Sequence, residues 1–153
     1  MKSRKARSKL LSSFLFILLL FIGFGGSAVG KAPAGNIAIK GFDPVAYFNE
    51  GKAIKGHEAI TFQWHDPTWY FLSKNNKDLF VSGPEKYAPQ YDGFCAWAMS
   101  ERRKAQSDPE VWERAGGRLY LNCSSTAYEK WSRDIPGNIK KADSYWLKYS
   151  GRN

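Results

Sequence analysis

The sequence predicts a small α+β domain, a β-hairpin or short antiparallel sheet packed by several short helices. Three observations carry this reading. Ile60, Phe62 and Trp64 alternate with Thr61, Gln63 and His65, and after Asp66-Pro67 the run Thr68-Trp69-Tyr70-Phe71-Leu72 continues, the pattern of two strands around a tight turn. Elsewhere, apolar residues recur at helical spacing behind Ser and Asp-Pro start signals. Strands and helices do not alternate as βαβ units, and the residues show no internal repeat.

The chain opens with Lys2, Arg4, Lys5, Arg7 and Lys9, followed by a largely apolar run from Leu10 to Phe24 and the small residues Gly25, Gly26, Ser27 and Ala28. This is the order of a secretory signal. Residues 1–30 are therefore expected to be a signal peptide cut after Ala28-Val29-Gly30. The alternative is an uncleaved anchor, since no charge interrupts the chain between Lys9 and Lys31, enough residues to span a bilayer as a helix. Either way the globular part is expected to be exported, periplasmic or extracellular, and to meet a membrane only through this segment. Residues 31–36 read as a linker and residues 37–150 as the domain.

Within the domain, Gly41-Phe42 reads as a short strand end, with Asp43 as N-cap and Pro44 at the first position of a helical turn that Gly51 stops. The hairpin follows. Ser73 caps a helix carrying Leu79 and Phe80, and Pro84 to Tyr87 gives a further turn. Asp108-Pro109 is expected to open a helix through Trp112 by the same chemistry as Asp43-Pro44. Arg118 to Leu121 is a short strand after Gly116-Gly117, and Ser124 or Ser125 caps a helix containing Trp131. A last helix puts Ile139, Ala142, Trp146 and Tyr149 on one face.

Composition narrows the function. The 153 residues are 43% hydrophobic and 16% aromatic, too many for a disordered chain, and two cysteines are too few for a disulfide scaffold. The formal charge of +9 includes five bases and no acid from residues 1–30, which leaves 18 bases against 14 acids, a net +4, for the remainder. That is too mild, on an exported domain, to indicate nucleic-acid binding.

GFDPVAYF (41–48), WYFLSKNNKDLF (69–80), GPEKYAPQYDGFCAWA (83–98), DPEVW (108–112) and LYLN (119–122) together resemble an exported YHS-domain protein, over roughly residues 37–148. Metal-binding members of that family carry a D-P-V-C-G block and Y-F-C-S-x-x-C-x-x-x-F followed by P-x-K-Y. Their thiols beside a helix N-terminus suit soft Cu(I) or Zn(II). Here Asp43, Pro44, Val45, Tyr70, Phe71, Ser73, Phe80, Pro84, Lys86 and Tyr87 match the frame, while Ala46, Leu72 and Asn76 stand where the three cysteines would be. The resemblance thus implies the architecture and a cavity at the old ligand positions, without the thiolate set.

The expected site is that cavity, around Ala46, Leu72 and Asn76, with Tyr47, Tyr91 and Cys95 adjoining it. Copper or zinc would need other donors, for which Cys95, Met99 and His65 are the first choices, with His57 and Cys123 available. Cys95, among Tyr91, Phe94 and Trp97, reads as a small buried thiol, as half of a Cys95–Cys123 bridge, or as a functional thiol. His57 and His65 read as solvated. Arg102-Arg103-Lys104 and Lys140-Lys141 read as a wet face or as contacts to anionic lipid or envelope polymer. The resulting expectation is a non-enzymatic binding domain for a small ligand, a metal ion or a cell-envelope protein. Its rivals are a thiol-dependent redox or transfer enzyme using Cys95, which requires an exposed thiol of lowered pKa, and an envelope interaction module, which requires a continuous exposed aromatic patch.

Overall fold

The structure, a computed structural model, describes residues 35–151; the expected signal segment and residues 31–34 lie outside the described residues. The fold is α+β, as the sequence predicts, with two small antiparallel hairpins where one sheet was expected.

The first half opens with a tight 3-10 turn, Ala38–Gly41, and a one-turn helix α1 (Ala46–Asn49). Its N-cap is Val45 rather than the expected Asp43, and Pro44 lies in the turn before it; Asp43 still leads into the helix, its Oδ1 accepting the N–H groups of Val45 at 2.8 Å and Ala46 at 3.4 Å. Strands β1 (His57–Gln63) and β2 (Thr68–Phe71) pair antiparallel, Phe62 opposite Trp69. His65 lies in the connecting turn at φ +57° rather than on the strand. Ser73 caps α2 (Lys74–Ser82) by accepting the Asn76 N–H at 3.1 Å, and Pro84 opens α3 (Pro84–Tyr87).

The second half opens with another 3-10 turn, Gln90–Gly93, and α4 (Ala96–Ser100). Next come β3 (Asp108–Ala115) and β4 (Arg118–Asn122), again antiparallel. This overturns the helix expected at Asp108–Trp112. Asp108 does accept the N–H two residues on, from Glu110 at 3.0 Å, but the local turn forms within an irregular stretch of the ladder, between the Asp108 and Trp112 pairings, and the chain stays extended. The two-residue link Gly116-Gly117, at φ +57° and +76°, is the left-handed turn that joins two strands tightly. Ser124 then caps α5 (Ser125–Ser132), accepting the Ala127 N–H at 3.2 Å, and α6 (Ile135–Ser150) starts with Pro136 in its first turn.

The expectation of no repeat is also overturned. Both halves run turn, short helix, hairpin, Ser-capped helix, Pro-opened helix, about 51 or 52 residues apart, and the same hydrogen bonds recur. Phe42 N–H donates to Ile39 O at 3.1 Å and Phe94 N–H to Tyr91 O at 3.0 Å; Asp43 N–H donates to Ile54 O at 2.8 Å and Cys95 N–H to Ala105 O at 3.0 Å. The Gly41 carbonyl accepts the Gly56 N–H at 2.9 Å, as that of Gly93 accepts the Ser107 hydroxyl at 2.6 Å. Trp69 lies over Phe80 at 4.9 Å and 36°, Tyr120 over Trp131 at 5.3 Å and 39°.

Each half buries its own apolar cluster, Val45, Trp69, Phe71 and Phe80 in the first, Tyr91, Met99, Tyr120 and Trp131 in the second. A shared cluster of Phe42, Tyr47, Leu119 and Leu121 joins them. In α6, Ala142 is fully buried and Ile139 and Trp146 half-buried, whereas Tyr149 is exposed and stacks on Trp146. Among the described residues no helix is long and apolar enough to cross a membrane.

Candidate functional site

The positions expected to form the ligand cavity do converge, but on a protein side chain. Asp43 is completely buried, and its Oδ2 accepts the Leu72 N–H and an Asn76 amide N–H, each at 2.7 Å, while Oδ1 serves Val45 and Ala46. Four N–H donors meet the carboxylate charge, which makes a buried anion tolerable without a cation. Ala46, Leu72 and Asn76 thus surround a filled hub that ties α1, the end of β2 and α2 together.

The remaining expected residues lie elsewhere. Tyr47 clasps the two halves: it is buried, its hydroxyl donates to the Pro109 carbonyl at 2.9 Å, and its ring meets Trp112 edge-on at 5.3 Å. Burial, then the charges of Asp108, Asp43 and Glu110, raises its pKa far above the tyrosine range. Tyr91 belongs to the second cluster and donates to Asp143 Oδ1 at 2.8 Å, and burial with that hydrogen bond raises its pKa likewise. Cys95 packs with Ala98 and Ala127 in a small cluster of its own.

Cys95 is wholly enclosed, and burial pushes its thiol up to about 11, so it has neither the exposure nor the lowered pKa that a thiol attacking a substrate from solution requires. Both cysteines are free thiols. His57 and His65 are exposed and Met99 is buried, and among the described residues no three His, Cys, Asp or Glu side chains gather as a metal site. The hub does not fit copper or zinc either. Ala46 and Leu72 offer no donor atom, and both oxygens of Asp43 are engaged by N–H groups.

Open space lies at the junction of the halves. A groove of about 730 Å³ runs between the two 3-10 turns, walled by residues 36–40 on one side and 88–94 on the other. Trp64, Trp69, Phe94 and Trp146 supply aromatic surface, and Lys40, Asp66, Gln106 and Arg118 supply polar groups. The turns touch: a Cβ at Gly93 would stand 3.1 Å from Ile39 Cγ2, and Gly93 itself sits at φ +79°. Of the six non-glycine residues at positive φ among those described, Ile39, Lys40, His65, Tyr91 and Asp92 all line this groove. Ile39, β-branched at φ +39°, is the most strained type for that conformation. Such strain persists where the surrounding structure imposes it, and it gathers at ligand sites.

Of the expected site residues, Tyr91 and the candidate donor His65 line the groove. The turn residues of its wall, Ile39, Lys40, Asp92 and Gly93, were not among them, because a left-handed Ile or Lys has no signature in composition. The available signal was the pair Ile39-Lys40-Gly41-Phe42 and Tyr91-Asp92-Gly93-Phe94, each a bulky residue, a charge and Gly-Phe before a short helix. Comparisons with protein-family models, curated proteins and solved structures give no match.

Proposed function

We propose that this chain is an exported binding domain of YHS-like type that takes a small organic ligand in the groove between its halves and performs no chemistry on it. The observation that carries this reading is the concentration of left-handed, non-glycine residues on the walls of one groove. Pockets at the junction of two structural units, with aromatic walls and a few polar groups, are where small ligands are ordinarily held. The aromatic faces suit a ligand with a flat apolar side, and the charged and amide groups beside them suit one with polar edges. Where the family it resembles has its thiolate set, this chain has Ala46, Leu72 and Asn76, tied together by Asp43, a residue of the shared frame. Large exposed apolar side chains are spread over separate elements, Ile37 before the first turn, Val81 on α2, and Leu147 and Tyr149 on α6, which favours a groove over an aromatic docking patch.

The test is a titration of isotope-labelled protein, followed by amide chemical shifts, with neutral saccharides, aromatic acids, Zn(II) and Cu(I) as probes. A saccharide or aromatic acid is expected to shift residues 37–40, 64–66 and 88–94, and Gln106→Trp, which fills the groove from an exposed position, is expected to abolish the shifts. Shifts produced only by the metal ions, centred on Cys95, Met99 or His65, would overturn the proposal.

A further inference from the structure

The repeat sets Cys95 and Cys123 in the places that Asp43 and Leu72 hold in the first half. In each half, the side chain of a residue in the turn leading into the short helix accepts the N–H of the residue that follows the hairpin, at 2.7 Å for Asp43 and Leu72 and at 3.1 Å for Cys95 and Cys123. The second half alone places a thiol on both sides of that bond. Cys123 is exposed, whereas Cys95 is wholly enclosed among Ala98, Ala127 and Trp97. A reagent in solution can therefore reach one thiol directly and the other only through the first.

We propose that Cys95 and Cys123 form a thiol–disulfide exchange site whose co-substrate is a low-molecular-weight disulfide and whose oxidised product is a Cys95–Cys123 bridge. The Cys123 thiolate attacks one sulfur of R–S–S–R, so that a Cys123–S–R bond forms and R–S⁻ leaves, taking up the proton that Cys123 released. Cys95 then gives up its proton and attacks Cys123 Sγ, expelling the second R–S⁻, which accepts that proton. Two protein thiols are oxidised and one external disulfide is reduced to two thiols. The geometry permits the closing step. The Cys123 nitrogen already touches Cys95 Sγ and is two covalent bonds from its own Cβ, so rotation of the exposed Cys123 side chain brings sulfur toward sulfur. The bridge would fasten the second hairpin covalently at the point where Asp43 fastens the first through hydrogen bonds.

The experiment treats the purified full chain with oxidised glutathione and follows intact mass and peptide maps after acid quenching. The wild type is expected to pass through a single glutathione adduct on Cys123, to end two hydrogens lighter with both thiols blocked, and to return to the starting mass with dithiothreitol. Cys95→Ser is expected to stop at the adduct, and Cys123→Ser to stay unmodified while folded. A wild-type adduct that persists without closing, or modification of Cys95 in folded Cys123→Ser, would overturn the proposal. If Cys95→Ser fails to fold, the wild-type time course and the exposed-site variant decide between these outcomes.

Discussion

Asp43 and Cys95 hold equivalent places: each lies in the turn leading into a short helix, donates its own N–H to a carbonyl in the link before the following hairpin, and accepts at its side chain the N–H of the residue that follows that hairpin. The same backbone node is thus fastened once by a carboxylate and once by a thiol. A carboxylate can serve four donors, and the first half supplies four. A thiol is a weak acceptor, and in the second half the neighbouring cluster of Ala98 and Ala127 contributes packing instead. The two halves therefore respond differently to substitution at one topological position.

Removal of the carboxylate leaves buried N–H groups on three elements without an acceptor. Asp43→Ala is expected to cost about 3–5 kcal/mol, because the desolvation penalty of each orphaned donor is then unopposed. Asp43→Asn keeps one acceptor oxygen but turns an NH₂ toward two donors, and is expected to cost about 2–3 kcal/mol. Urea denaturation followed by Trp fluorescence measures both. A shift in midpoint no larger than that of an exposed control such as Glu58→Ala would refute the hub.

The Cys95 thiol, raised by burial to about 11 from an ordinary 9.0, makes stability depend on alkaline pH. The unfolded chain releases this proton first and so binds fewer protons than the fold, which means that stability falls as pH rises. The contribution is complete below about pH 8.5 and is lost progressively toward pH 11, to a total of about 2–3 kcal/mol. Tyr47 and Tyr91, also raised, add to the loss only above about pH 10, where unfolded tyrosine begins to ionise. Between about pH 8.5 and 10, therefore, Cys95→Ala is expected to show a flatter stability profile than the wild type in denaturant melts.

The residues announced much of the fold. Ser73 and Ser124 cap helices as serine before an apolar periodic run should, and the alternation through Ile60, Phe62 and Trp64 is the first hairpin. Asp108-Pro109 misled because an Asx turn looks the same whether it starts a helix or sits in a strand irregularity; the deciding residues were Gly116-Gly117, which demand a strand on both sides. The repeat stayed hidden because its equivalent pairs are Asp43 with Cys95, Leu72 with Cys123 and Phe80 with Trp131, alike in place and unlike in chemistry. The resemblance brought Ala46, Leu72 and Asn76 together, and the structure gathers them, yet nothing in those residues said that Asp43 would fill the space between them. The groove was illegible for a different reason: its walls are made by backbone conformation that packing imposes on Ile39 and Tyr91.

Lys40 tests whether that conformation is kept for a ligand. It is exposed at φ +54°, a region that costs an ordinary residue about 1 kcal/mol and glycine almost nothing. Lys40→Gly is expected to raise stability by about 0.5–1 kcal/mol while weakening binding of any groove ligand. Thermal melts and the amide-shift titration read the two effects separately. A stabilised variant with unchanged binding would show that Lys40 takes no part in the groove's function.

Trp131 and Phe80 hold equivalent places, each buried under an aromatic residue of the preceding strand. Among the described residues nothing accepts the buried Trp131 indole N–H, so its polar atom opposes the stability that its rings supply. Trp131→Phe removes that unpaired donor and installs the residue the first half already uses. It is expected to cost less than about 1.5 kcal/mol, whereas Trp131→Ala should cost about 3–5 kcal/mol through the cavity it leaves. The first half has no such asymmetry: Phe80→Ala carries the full cavity cost with no polar atom to offset it. Equal losses for Trp131→Phe and Trp131→Ala in chemical denaturation would overturn the reading that the buried indole N–H opposes stability.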